Sequence, residues 1–466
     1  MKSLSFFTLI GIMSFFSSHL WVDEQAGGVD IQIHVSGMAS GYAYLTGVYK
    51  NVQSTVDSAQ GDINGRFHFQ RKERFEPGAY LVILPDSSTF QILLDDDQSF
   101  YLKTNAGSLE KDMQVEGSQV NELFFQARQL QYEQQAAFEG MANQNNDPAF
   151  LEQQRALLIG EYDAYLQSLF EKYPQSLFTK IRKAEQNPQI PEVRQANGVV
   201  DPSAQLYLYR SHFWDMVDFS DPRLLHTPVI FNKLITYFDN LTPPQTDAMI
   251  EAINQLMEQV PANSEYYRFF AEWIAQDFRP PYSPVLDPEA IFIHMVNEYL
   301  TDERAFWADS TQVYAWKLRA TGKAGSLVGN PGMDIRARDT EGNMRSMFDI
   351  EAPYIAIYFY HAECEHCIAE TPRLVQFYRE WKDKGLEVFA VAMDTEDAEW
   401  KTFIADNQMD WINVNDAESQ EIYKDYYVMG APTIYLLNPS RTIIGKNLQI
   451  EHIPMIIQMD QQQRVR

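Results

Sequence analysis

The stretch that most constrains this chain is the apolar run Tyr354-Ile355-Ala356-Ile357-Tyr358-Phe359-Tyr360, followed almost at once by Cys364-Glu365-His366-Cys367. The run has no polar alternation, which is the pattern of a strand buried on both faces. From Cys364 to Lys384 the spacing turns helical, and it stops at Gly385. A second buried strand is expected over Leu386 to Met393, helices over Asp397 to Asn407 and Ser419 to Tyr426, and a third strand over Thr433 to Leu437 with Ile443-Ile444 as its partner. Strand and helix alternating in this way predict an α/β domain with a mixed central sheet. A glycine-rich loop, Gly322 to Gly332, leads into it; without a closing Lys-Ser/Thr it is not a phosphate loop.

Cys364 and Cys367 are the only cysteines among 466 residues. A C-x-x-C that follows a buried strand and opens a helix sets Cys364 at the helix N-terminus. Free N–H groups and the positive end of the helix dipole stabilise a thiolate there, and the thiolate is the attacking species in disulfide exchange. Cys367 falls one turn later, within reach of a mixed disulfide. The first cysteine is therefore expected to be exposed and nucleophilic, the second buried and resolving. His366, when protonated, favours the thiolate and makes the disulfide easier to reduce. Glu363 and Glu365 oppose it. Glu370, three residues after Cys367, has two readings: a proton acceptor for Cys367, or an ordinary first-turn glutamate that favours the helix dipole. Gly430-Ala431-Pro432-Thr433 precedes the third strand, and Pro432 is compatible with a cis peptide.

The rest of the chain divides into blocks. Residues 1–20 read as a signal peptide: Lys2 precedes an apolar stretch, Leu4 to Phe16, too short to span a bilayer comfortably. An uncleaved anchor is the alternative. No cysteine lies there to carry a lipid. Residues 29–117 show alternating strands, such as Ile31, Ile33 and Val35, punctuated by Gly65, Pro77-Gly78 and Pro85-Asp86; they predict an antiparallel β-sandwich-like domain. Residues 118–318 have helical spacing and many aromatics, among them Tyr207, Phe213, Trp214, Phe219, Tyr237 and Phe238, expected mostly as core. The net charge of −27 argues against nucleic-acid binding and against anionic membrane surfaces.

Residues 322–466 resemble thioredoxin-like domains of the TlpA/ResA type. The strand before the C-x-x-C, Glu370 followed by Pro372, and Ala431-Pro432-Thr433 carry the resemblance. The resemblance implies a thiol–disulfide oxidoreductase whose only redox group is a Cys364–Cys367 disulfide, with no cofactor and no metal. It implies that Glu370 is a buried active-site glutamate, that Pro372 kinks the helix, and that Ala431, Pro432 and Thr433 border a substrate groove, while His366 tunes the potential of the pair. Many relatives have an aromatic residue where this chain has Glu363. The order of blocks also resembles exported multi-domain relatives with a Val-Asp-Ser strand, here Val56-Asp57-Ser58.

With no further cysteines, electrons must pass to or from another protein. The family implies a membrane-embedded thiol reductant carrier as donor and cysteine-containing exported proteins as clients. The expected protein is thus an exported, periplasmic reductase of disulfides. One rival is a non-catalytic binding protein that uses the thioredoxin-like domain as a scaffold. A zinc site built from Cys364, Cys367 and His361 or His366 is the other; it suffers from having no second cysteine pair.

Overall fold

The computed structural model describes residues 28–278, 287–416 and 422–464. The signal-peptide reading of residues 1–20 and the first turn of the helix expected from Ser419 lie outside them. The chain clusters into two compact units, residues 1–47 with 53–178 and residues 48–52 with 179–466.

The N-terminal strands are β1 (Val29–Ser36), β2 (Tyr42–Tyr49), β3 (Val52–Gln60), β4 (Arg66–Arg71), β5 (Gly78–Ile83), β6 (Thr89–Leu94), β7 (Ser99–Asn105) and β8 (Gln114–Glu116). They form two four-stranded sheets, ordered β4-β1-β7-β8 and β3-β2-β5-β6. Alternation works as read: Val29, Ile31, Ile33 and Val35 of β1 are all buried. Pairing is not antiparallel throughout, because β1 and β7 run parallel, with Ile31 opposite Phe100. A tight hairpin forces antiparallel strands, but these two are separated by five others and have no such constraint. Helices α1 (Gln119–Gln144) and α2 (Pro148–Lys172) follow. Pro148 starts α2, and the Asp147 side chain caps it by accepting from the Ala149 N–H at 3.1 Å.

The remaining helices of the middle segment are α3 (Leu177–Ala184), α4 (Pro202–Ser211), α5 (Pro228–Ile235), α6 (Thr246–Gln259), α7 (Glu265–Asp277), α8 (Pro288–Glu298) and α9 (Ser310–Ala324). Phe213, Trp214, Phe219, Tyr237 and Phe238 are buried core, with Trp214 ringed by Phe213, Phe219, Tyr237 and Phe270. Tyr207 is instead exposed. Helix α9 runs to Ala324 and takes in the first three residues of the glycine-rich loop, Gly322 among them.

The C-terminal sheet has seven strands in the order β10-β9-β13-β12-β11-β14-β15. These are β9 (Arg336–Asp339), β10 (Met344–Ser346), β11 (Tyr354–Tyr360), β12 (Leu386–Ala392), β13 (Ile412–Asn415), β14 (Thr433–Leu437) and β15 (Ile443–Gly445). Its helices are α10 (Glu365–Trp381), α11 (Asp397–Asn407), α12 (Ile422–Asp425) and α13 (Ile453–Arg464). Every residue of β11 is buried. Tyr354, Ala356, Tyr358 and Tyr360 enter one core with α10, and Ile355, Ile357 and Phe359 enter the other, as the two-residue period of a strand requires. No helix among the described residues is long and apolar enough to cross a membrane.

Candidate functional site: the Cys364–Cys367 dithiol

Strand β11 ends at Tyr360, and α10 begins at Glu365 with Cys364 as its N-cap. The turn is held by the Cys364 N–H donating to the His361 carbonyl at 3.1 Å. Both cysteines are free thiols: Cys364 is half-buried, and Cys367, one turn on, is fully buried. Burial pushes the Cys367 thiol up to about 12, helped by its contact with Cys364 and partly offset by a backbone hydrogen bond of His361.

The groove follows from strand register. β14 runs antiparallel to β11 with Thr433 opposite Phe359, so residues just before β14 meet those just after β11. The Ala431–Pro432 peptide is cis, and the Cys364 thiol donates to the Ala431 carbonyl at 3.4 Å. The Thr433 hydroxyl donates to the Gly430 carbonyl at 2.7 Å. Two apolar side chains stand exposed on these elements, Ile368 at 51% and Met429 at 79%. Glu363, Glu365 and His366 are exposed.

Glu370 is where structure and sequence part. The resemblance implied a buried carboxyl. The Glu370 side chain is instead 36% exposed and pairs with Arg373, which also binds Glu451. An arginine one turn on draws the carboxylate towards solvent. Aromatic and hydroxyl groups surround Cys367 instead. The Thr371 hydroxyl donates to the Cys367 carbonyl at 2.7 Å and lies 2.8 Å from the Tyr358 hydroxyl, while Trp400 donates to the Tyr360 hydroxyl at 2.9 Å. Desolvation holds both tyrosines protonated well above their usual range. Sequence reasoning passed over Tyr358 and Tyr360, although their even positions in β11 put them on the α10 face. Pro372 does lie inside α10 and removes the N–H that would reach the Ile368 carbonyl.

This difference in burial sets a reactivity order. Alkylation of the folded, reduced protein with iodoacetamide at pH 8 is expected to label Cys364 alone, with Cys367 labelled only after denaturation. Raising the pH to 10 leaves that order intact, because the Cys367 thiol is still protonated there. Peptide mapping checks this, and equal labelling of the two would contradict the buried, protonated assignment.

Comparison with known proteins adds the family. Residues 328–453 match the AhpC/TSA family, residues 167–313 a domain of unknown function (DUF5106), and residues 29–124 another (DUF4369). Thiol-disulfide oxidoreductase ResA of Bacillus thuringiensis is 26% identical over 117 residues, 25% of this chain and 67% of that protein. Human nucleoredoxin is 26% identical over 133 residues, and the chain spans only 28% of its length. A thioredoxin-like protein from Bacteroides caccae, 20% identical, aligns with 58% of this chain and 97% of that one at a TM-score of 0.49. The C-terminal region of this chain is a thioredoxin-like domain of the AhpC/TSA family, set behind two domains of unknown function.

Proposed function

We propose that the protein is an exported thiol–disulfide oxidoreductase that reduces disulfides in other exported proteins. The observation that carries this reading is the asymmetry of the pair: a reachable Cys364 at a helix N-terminus, bonded to the cis-proline loop, above a fully buried Cys367. The Cys364 thiolate attacks one sulfur of a client disulfide. The client S–S bond breaks, a Cys364–client mixed disulfide forms, and one client thiol leaves with a proton. Cys367 then loses its proton and attacks the Cys364 sulfur. The second client thiol leaves, and the Cys364–Cys367 disulfide remains. The client gains two electrons and two protons, and the protein loses them.

Ala431, Pro432 and Thr433 border the groove, and His366 tunes the pair. The disulfide itself is the redox group, without cofactor or metal. A membrane-embedded thiol carrier restores the dithiol, since the chain has no other cysteine. Export to the periplasm is supported by Lys2 and the apolar Leu4 to Phe16.

The test is the equilibrium reduction potential of the pair in defined thiol buffers. A value near or below roughly −250 mV is expected of a reductase. A value near roughly −150 mV would make the protein an oxidant or isomerase. Failure to form the disulfide would remove the redox reading.

A further inference from the structure

The redox motif does not account for one wall of the groove. A cavity of about 800 Å³ has Ala431, Pro432 and Thr433 on one side, and Glu289, Arg319 and Lys323 from α8 and α9 on another. That volume is in the range of sites that enclose several residues of a peptide or a small ligand.

The α8–α9 wall is firmly built. At Gly322 a Cβ would stand 2.8 Å from the Tyr427 ring, so glycine lets α9 approach the segment that leads into the cis-proline loop. Lys323 lies over the same ring, 4.6 Å from its centre. It is buried and pairs with the equally buried Glu289 at 3.3 Å. Glu289 in turn faces Lys446 at 3.4 Å.

Charges across the cavity are unevenly matched. Lys323 is neutralised by Glu289. Arg373 is bound by two carboxylates, Glu370 and Glu451. Arg319 is half-buried and stacks on Phe292 at 4.5 Å. Among the described residues it has no carboxylate within ion-pair distance. The chain carries 64 acidic residues against 37 basic ones, so a groove-facing arginine without an acidic partner among the described residues stands out. The cavity is therefore bipolar, cationic at Arg319 on α9 and anionic at the Glu370–Arg373–Glu451 cluster. A guanidinium held over an aromatic ring keeps its donors free for planar, bidentate recognition of a carboxylate.

We propose that Arg319 is a specificity residue that binds a carboxylate on an extended client segment, next to the cysteine that Cys364 attacks. This deepens the oxidoreductase reading above and rests on it. The carboxylate is either an Asp or Glu side chain or the C-terminus of the client.

The test uses the reduced full-length protein and short peptides, each with one cysteine joined to thionitrobenzoate. Cys364 bonds to the peptide sulfur, the S–S bond to the dye breaks, and the coloured thiolate leaves. Cys367 then releases the peptide thiol, leaving the Cys364–Cys367 disulfide. Peptides with Glu or Gln flanking the cysteine, each with a free or an amidated C-terminus, separate the two sources of carboxylate. At low salt the better carboxylate peptide is expected to react about fivefold faster than its neutral counterpart, the upper end for a solvent-accessible ion pair. The ratio should shrink at high salt. Arg319→Ala brings it to about one, Arg319→Lys keeps part of it, and Arg319→Glu inverts it. Lys317→Ala, exposed on the same helix, leaves it unchanged. Equal rates for charged and neutral peptides, or an unaltered ratio in Arg319→Ala, would overturn the proposal alone. No dye release from any peptide would overturn the oxidoreductase reading and the proposal with it.

Discussion

Lys446→Met is expected to destabilise the C-terminal unit by about 3–5 kcal/mol, the range for removing one partner of a buried ion pair. The Lys446 side chain is 1% exposed, and it lies 3.7 Å from Asp287 and 3.4 Å from Glu289. It also donates to the Ser326 carbonyl at 3.1 Å. Asp287 stands at the N-cap position of α8 but does not cap it; its carboxylate accepts from the Val328 N–H at 2.7 Å. These bonds tie α8 to the loop before β9 and to the turn after β15. Methionine fills much the same space, so the loss comes from charge rather than from a void. Two buried carboxylates are left with Lys323 alone.

Burial already raises the Asp287 carboxyl, and Lys446 is the strongest influence holding it down. Without Lys446 the folded state must bind protons that the unfolded state releases. A folded carboxyl raised above its unfolded value costs stability as pH climbs from the unfolded value, about 4, through the folded one. The deficit of the variant should therefore be larger at pH 8 than at pH 5. Asp287→Asn in the same background should restore part of it. Calorimetry of the full chain at the two pH values reads both effects. An unchanged melting profile, or a deficit that grows on acidification, would show that the cluster does not act as a buried ion pair.

The contrast between this cluster and the dithiol marks what a sequence exposes. β11 was legible because seven adjacent residues carry the signal, and α10 because Cys364 to Gly385 is one local pattern. Asp287, Glu289, Lys323 and Lys446 come from three distant stretches, and nothing local in any of them foretells a buried charge. The burial expected of Glu370 failed for the same reason. Arg373 was one turn away and visible, but Glu451, 78 residues from Arg373, completes the arrangement that draws the carboxylate outward. The parallel β1–β7 pair escaped notice because strand direction across a long connection leaves no trace in alternation. Arg319 carried no motif; it matters only because α9 continues through Gly322 and lines the same cavity as Pro432.

The largest effect is expected at the cysteines themselves, and the two should fail differently. Cys364→Ser should lower disulfide reduction at least about 10³-fold, since a neutral hydroxyl cannot take the place of a thiolate nucleophile. Cys367→Ala should leave the first attack in place and block the second. One client thiol is released, and a Cys364–client mixed disulfide accumulates, seen as a reductant-sensitive band on a non-reducing gel. In the intact protein the second step starts from a buried thiol pushed up to about 12, while the Glu370 carboxylate is paired with Arg373. Below that value the thiolate fraction of Cys367 grows about tenfold per pH unit. The single-turnover rate of resolution should therefore climb steadily from pH 7 to pH 10. A resolution rate that is flat across this range would mean that a group close to neutrality takes the proton, and Glu370 would then have to move inward to meet Cys367 once the mixed disulfide has formed.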